Sequence, residues 1–368
     1  MKKYIYIDTK IKGAILQLIS YFQNGVFDKE FIVIFKLYKE NKHFLKLLKQ
    51  NNIKYITFSF YRQFPNVENS IIFYLFNAQS NCRIVAYREA KHIFVTHGES
   101  NKLPSIKPIL RIYDYVSVAG QAGIERLLEH KIFNKCDLEN NKIIKMGNTF
   151  IGNLKYNYDI SSNTMLYAPT WEGGLKEENY SSITNKIDSF KLLVKYAKQN
   201  NIHTIILQPH PNTGHRDKRY LYYLYKGIKY LFKKNIKVLI KPINSSLFKF
   251  IFFRFKNYFI ENKSYNVKIA FCDVSAIEVQ LLDKNIPYYI FFNNAKKSIP
   301  NNSLLKSYYK QIGIYNFKLN YFDNKDLYQK IKFYYISYEN IRLYDKSYRE
   351  KINWLIKFIN NEQKNPNN

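Results

Sequence analysis

Twice along this chain, short runs of β-branched and aromatic residues alternate with longer stretches of helical period, and that double alternation limits the fold more than anything else in it. Such runs read as strands, and strands separated by helices pair in parallel through crossover connections. In the first half, strands are expected at Lys3–Asp8, Phe31–Phe35, Lys54–Phe58, Arg83–Tyr87, His92–Thr96, Tyr115–Val118 and Ile143–Lys145. Helical patterns at Gly13–Gln23, Lys42–Gln50 and Gln121–Glu129 lie between them. A polar stretch without period, Asn153–Thr164, reads as a linker. The alternation then restarts with strands at Met165–Ala168, Thr204–Leu207, Lys237–Ile240, Lys268–Phe271 and Pro287–Phe292. Its helices are expected at Thr184–Gln199, Arg219–Lys233 and Ser275–Asp283, and Asp326–Asn361 reads as helices alone.

At 368 residues the chain is too long for one ordinary core and suits two. The expected class is therefore α/β, with a Rossmann-like domain over 1–152, a second over 153–325 and a helical tail over 326–368. Three scattered cysteines, Cys82, Cys136 and Cys272, make neither a disulfide framework nor a zinc pattern and fit a reducing compartment. The apolar run behind Met1-Lys2-Lys3 is too short for a signal peptide, and the richest later run, Phe248–Ile260, is broken by Lys249, Arg254 and Lys256. A cytoplasmic protein is expected. The net charge of +30 has two readings: an anionic partner, or the Lys-, Asn-, Ile- and Tyr-rich usage that A/T-rich codons produce.

Four polar clusters directly follow expected strands, at Thr96–Lys102, Tyr167–Gly174, Gln208–Gly214 and Cys272–Ala276. In open parallel sheets, ligands bind beyond the carboxyl ends of the strands, so four such clusters mark a candidate site. Each also has a plain structural reading. His97-Gly98 is a general base or a turn. Pro209-His210-Pro211 positions an imidazole or ends a strand. Trp171 is a platform or a packed aromatic. Asp273-Val274-Ser275 caps a helix or holds phosphate at its N-terminus. The remaining histidines, His43, His92, His130, His203 and His215, have no partner at metal-ligand spacing and read as structural or surface residues. No P-loop, GxGxxG or HExxH motif is present.

Taken in order, HGESNK at His97–Lys102, YDYVSVAGQAGIERL at Tyr113–Leu127, YAPTWEGG at Tyr167–Gly174, QPHPNTG at Gln208–Gly214 and CDVSAIEVQLLDKNIP at Cys272–Pro287 resemble the motifs of the CDP-glycerol glycerophosphotransferase family. The resemblance runs from about His92 to Phe292. It implies a GT-B-like enzyme, two Rossmann-like domains facing a cleft with the C-terminal helices packing back on the first. The implied reaction moves a glycerol- or ribitol-phosphate group from a CDP-linked donor to a hydroxyl of a lipid-linked teichoic-acid or capsule polymer, releasing CMP. His97 and His210 would be catalytic. Gly98, Ser100, Lys102, Thr170, Trp171, Glu172, Pro209, Asn212, Asp273, Ser275 and Ala276 would bind the donor and its phosphates. No cofactor is implied, and no carboxylate cluster demands a metal, although a divalent cation is compatible. Ala276 and Gln280 stand where wall-polymer members tend to have Ser and an acidic residue, which bears on the donor's identity; the nearest carboxylate is Glu278.

Two further readings stand beside this one: a GT-B glycosyltransferase using a nucleotide sugar for capsule or lipopolysaccharide, and a basic nucleic-acid-binding protein. Histidine, serine, threonine and proline at strand ends are not a nucleic-acid signature, so no nucleic-acid partner is expected. Lys218–Lys241 and Phe248–Lys263 interleave basic and aromatic residues. That pattern suits peripheral attachment to an anionic membrane face, and it equally suits a core helix with snorkelling lysines.

Overall fold

In Lys2–Ile7 (β1), Ile5 and Ile7 point to one face and Tyr4 and Tyr6 to the other, and all four are buried. A strand apolar on both faces belongs inside a parallel sheet covered by helices on each side. The computed structural model, which describes residues 1–96, 98–243, 245–261, 263–292, 301–314 and 325–361, places it there. The described residues fall into two units, one of 1–99, 106–152 and 333–368, the other of 100–105 and 153–332.

The first unit is built on β1, Phe31–Lys36 (β2), Tyr55–Phe58 (β3), Ser70–Tyr74 (β4), Ala90–Phe94 (β5), Tyr115–Val118 (β6) and Ile143–Lys145 (β7). They form a parallel sheet in the order β3-β2-β1-β4-β5-β6-β7. One face carries Ile5, Val33, Phe73 and Ile93 under Ile15, Leu18 and Ile19 of the Lys12–Gln23 helix. Ile352, Leu355, Ile356 and Ile359 of the Tyr348–Asn361 helix complete that cluster, at the spacing of a single helical face. The C-terminal helix thus belongs to the first unit. On its way there the chain meets two glycines. A Cβ at Gly120 would lie 2.6 Å from the Tyr335 carbonyl oxygen. One at Gly147, where φ is +55°, would lie 2.1 Å from the Tyr338 ring.

The second unit contains Tyr156–Tyr158 (β8), Thr164–Ala168 (β9), Thr204–Leu207 (β10), Lys237–Ile240 (β11), Tyr265–Val267 (β12), Ile269–Asp273 (β13), Tyr288–Phe291 (β14) and Gly313–Ile314 (β15). Six of these form a parallel sheet in the order β11-β10-β9-β13-β14-β15, while β8 and β12 pair with each other. In each large sheet the order runs outward one way and then reverses, at β1/β4 and at β9/β13, as in a Rossmann-type sheet. Two parallel α/β units with a helical C-terminal tail are the class expected from the sequence.

Three elements differ from expectation. Arg83–Tyr87 is not a strand: Asn81–Val85 is a helix, and the missing central strand is β4, paired with β1 and β5. Short apolar runs without alternation carry no period that separates strand from buried helix. The expected linker holds β8, whose Tyr156 is buried. Ser275 does not open its helix, which spans Ile277–Asp283 behind Ala276.

Candidate functional site

The carboxyl ends of β9 and β13 lie side by side, with Ala168 paired to Cys272, at the reversal of strand order. The residues that follow them converge. Asp273 is fully buried, and its Oδ2 accepts the backbone N–H of Thr170 at 2.7 Å and of Ser182 at 3.1 Å. Its Oδ1 has no hydrogen-bond partner. Lys102, carried by the 100–105 segment, donates from Nζ to Thr170 Oγ1 at 2.6 Å and lies over the Tyr180 ring. Tyr180 in turn accepts the Leu103 N–H, and Asn101 donates to Tyr309. Six residues of sequence far from either strand are thereby fixed against the second unit's strand ends.

Burial changes the acid–base character of this pair. Loss of water pushes the Lys102 ammonium down to about 8, against the opposing pull of Asp273 and Glu178. Loss of water likewise pushes the Asp273 carboxyl up to about 7, although its hydrogen bonds and Lys102 draw it down. An anion held here is favoured while Lys102 keeps its proton and Asp273 is not yet charged. Raising the pH through 7 adds a negative charge, and raising it through 8 removes a positive one. Affinity for a diphosphate-type anion at this pair should therefore fall with rising pH, about tenfold per unit once Lys102 titrates. Calorimetry with CDP and UDP between about pH 7 and 9 checks this, and Lys102→Arg should flatten the upper limb because arginine stays charged.

A second group surrounds the end of β10. The His210 ring stacks on Trp171 at 5.8 Å and 16°, its Nδ1 accepts the Asn212 N–H at 3.1 Å, and its own backbone N–H reaches the Pro169 carbonyl. The His215 ring, itself exposed, stands edge-on to the same Trp171. Glu172 is fully buried, and its carboxylate accepts three backbone N–H groups, from Gly214, Arg216 and Asp217. Arg216 donates back to the carbonyls of Glu172 and Gly173. Glu172 thus holds the loop that follows Pro209-His210-Pro211. A Glu172→Gln variant keeps the shape but loses charge-assisted acceptance, and should open that loop to faster amide exchange at Gly214–Asp217.

The remaining site residues are less engaged. Ser275 donates its hydroxyl to the Asp273 carbonyl, so it braces the turn after β13 rather than capping the helix. Ser100 shares a hydrogen bond with Ser105. His97 lies outside the described residues. On either side of it the backbone is unusual: Thr96 has φ of +59° and Gly98 of +148°, and Thr96 Oγ1 donates to the Gly98 carbonyl. A β-branched residue in the left-handed region is strained. The sequence reading missed Tyr180, Ser181 and Ser182, which stand on the loop between β9 and the Asp188–Gln199 helix; only a Tyr-Ser-Ser cluster in a polar stretch marked them. Among the described residues no three His, Cys, Asp or Glu side chains converge as a metal site.

No protein-family model and no curated protein matches the chain. Similar solved structures include Anabaena HepE in complex with UDP and glucose, at 13% identity over 80% of this chain and 82% of that one, with a TM-score of 0.42. Another is a putative UDP-N-acetylglucosamine 2-epimerase from Listeria monocytogenes, at 12% identity over 95% and 90%, TM-score 0.45. A third is Glycyrrhiza uralensis UGT73P12 complexed with glycyrrhetinic acid 3-O-monoglucuronide, at 9% identity over 99% and 96%, TM-score 0.48. Likeness at this level says nothing about donor or reaction.

Proposed function

We propose that this chain is a GT-B-type transferase that takes a nucleotide-diphosphate-activated donor at the strand ends of its second unit. The observation that supports it most is the half-buried Lys102 set on Thr170 beside the fully buried Asp273, at the reversal of strand order where open α/β sheets take their ligands. An ammonium partly withdrawn from water, with no carboxylate at ion-pair distance among the described residues, is costly unless an anion arrives to use it. Diphosphate oxygens are such an anion, and the Trp171–His210 stack offers a flat surface beside them. His97 would take the proton of the acceptor hydroxyl.

Two donors fit. The ordered motifs favour a CDP-linked polyol phosphate, with attack at phosphorus, CMP leaving and the product phosphodiester formed on a lipid-linked polymer. The cradle itself favours the second reading, sugar transfer from a nucleotide sugar with the nucleoside diphosphate leaving. In transfer of a polyol-phosphoryl group, charge sits on its two non-bridging oxygens and also grows on the departing CMP phosphate, which calls for several cations. A departing diphosphate concentrates its new charge at one end, which suits a single lysine. A screen of CDP-glycerol, CDP-ribitol and UDP- and CMP-sugars, read by the nucleotide released, separates the two. CMP from a CDP-polyol establishes the first, and UDP or a CMP-sugar's CMP the second. Turnover of none of them, with no binding of CDP or UDP, removes the proposal.

A further inference from the structure

Between β11 and β12 the second unit carries a short helix, Ser246–Ile251, and a tight helical turn, Phe253–Tyr258. Of the six aromatic residues from Phe248 to Tyr258, three face inward. Phe248 and Phe252 are fully buried and stacked at 4.2 Å, and Phe255 packs on Phe232 and Tyr225 of the Arg219–Lys233 helix. For these the reading as an ordinary core is right. It does not account for Phe250 and Phe253, which are 81% and 72% exposed. Phe250 stands in the last turn of the helix and Phe253 at the first position of the tight turn that follows. Lys249, Arg254 and Lys256 beside them are exposed, and no acidic residue occurs from Ser246 to Tyr258. On the adjoining helix, exposed Tyr222, Lys226, Lys229 and Lys233 recur at helical spacing and continue the same chemistry.

We infer that this turn is a docking surface for an anionic lipid bilayer, with Phe250 and Phe253 entering the boundary of headgroups and acyl chains and the basic side chains lying at the phosphates. Lone exposed hydrophobic residues are ordinary; two exposed phenylalanines in a segment whose only charged side chains are basic are not. That combination matches the two components of interfacial binding, apolar insertion and attraction to acidic headgroups. A single-stranded nucleic acid would use the same charges, but the rings would then serve as stacking platforms along a groove rather than as a tip. No helix among the described residues is long and apolar enough to cross a membrane, so the surface would hold the protein reversibly. This inference does not depend on the donor chemistry proposed above.

Sedimentation of the full chain with phosphatidylcholine vesicles, with and without phosphatidylglycerol, tests it. Binding is expected only with the anionic lipid and should be lost at high salt. Lys249→Glu with Arg254→Glu should weaken it by at least about tenfold, since each removed base alone is worth roughly fivefold near the surface. Phe250→Ser with Phe253→Ser should also weaken it at least about tenfold, through loss of the inserted rings. All four positions are exposed, so circular dichroism and the melting midpoint of both variants should match the parent; a variant that fails this is replaced by Phe250→Ala with Phe253→Ala. Equal binding to neutral vesicles, or full binding by the phenylalanine variant, overturns the inference. So does absence of vesicle binding, and binding to a single-stranded oligonucleotide in its place assigns the surface to nucleic acid. Nucleotide release measured with a soluble acceptor is unaffected by any of these outcomes, so the two proposals fail separately.

Discussion

Lys102→Met should weaken binding of the donor nucleotide and lower turnover by about 10²–10³-fold, in the range seen when one preorganised transition-state donor is removed. The argument starts from burial. The half-buried side chain donates to Thr170 at 2.6 Å beside the fully buried Asp273, so its charge acts through less water than a surface lysine's. Methionine fills similar volume and keeps the packing on Tyr180, which isolates the charge. His97→Ala should fail differently: kcat falls by roughly 10²–10⁴-fold while donor affinity is retained, because a general base touches the acceptor proton and not the diphosphate. Calorimetry with the nucleotide, set beside single-turnover rates, distinguishes the two. If Lys102→Met binds nucleotide as tightly as the parent, the donor is not held at the β9/β13 ends. If His97→Ala turns over within a few-fold of the parent, His97 is not the base.

How far the sequence alone could reach depended on what kind of signal each feature leaves. The parallel α/β class was legible because strands such as β1 and β10 combine short length, β-branched residues and flanking helical periods. Central strand β4 left no such mark. Its residues, Ser70–Tyr74, continue into Leu75 and Phe76, and an unbroken apolar run has no phase to read. Strand-end residues were legible for the same reason as the strands, since a polar cluster following an apolar run is visible in one dimension. That Lys102 meets Thr170 and Asp273 was not, because it depends on a six-residue segment joining the second unit from within the first unit's sequence. Nor could the sequence divide the aromatic residues of Phe248–Tyr258 into buried and exposed. Helix and tight turn follow one another there, so no single period holds across the segment.

The largest effect on stability should come from Arg126→Met. Arg126 and Glu99 are both buried in the first unit and form an ion pair, and the second Glu99 oxygen accepts the Ala119 N–H at 2.9 Å. Removing the arginine leaves a carboxylate that is largely buried and without its cation, and breaking a buried pair in this way costs about 3–5 kcal/mol. Replacing both partners should be milder, since the pair's own net value is small once desolvation is counted. Arg126→Met with Glu99→Gln should therefore recover part of the loss, leaving the Ala119 contact to a neutral acceptor. Glu99 also stands two residues after His97, behind the strained turn at Thr96 and Gly98. A strained conformation of about 1–3 kcal/mol persists only where its surroundings fix it, and the Glu99 anchor on Ala119 and Arg126 supplies that constraint. The double variant should then be folded but slow, with kcat reduced and nucleotide affinity near that of the parent. Urea unfolding followed by a probe in the first unit measures the first effect, and the split between kcat and nucleotide Kd measures the second. A double variant as unstable as Arg126→Met would show that the arginine's packing, and not its charge, holds this corner. Full activity in the double variant would separate the Glu99 anchor from the positioning of His97.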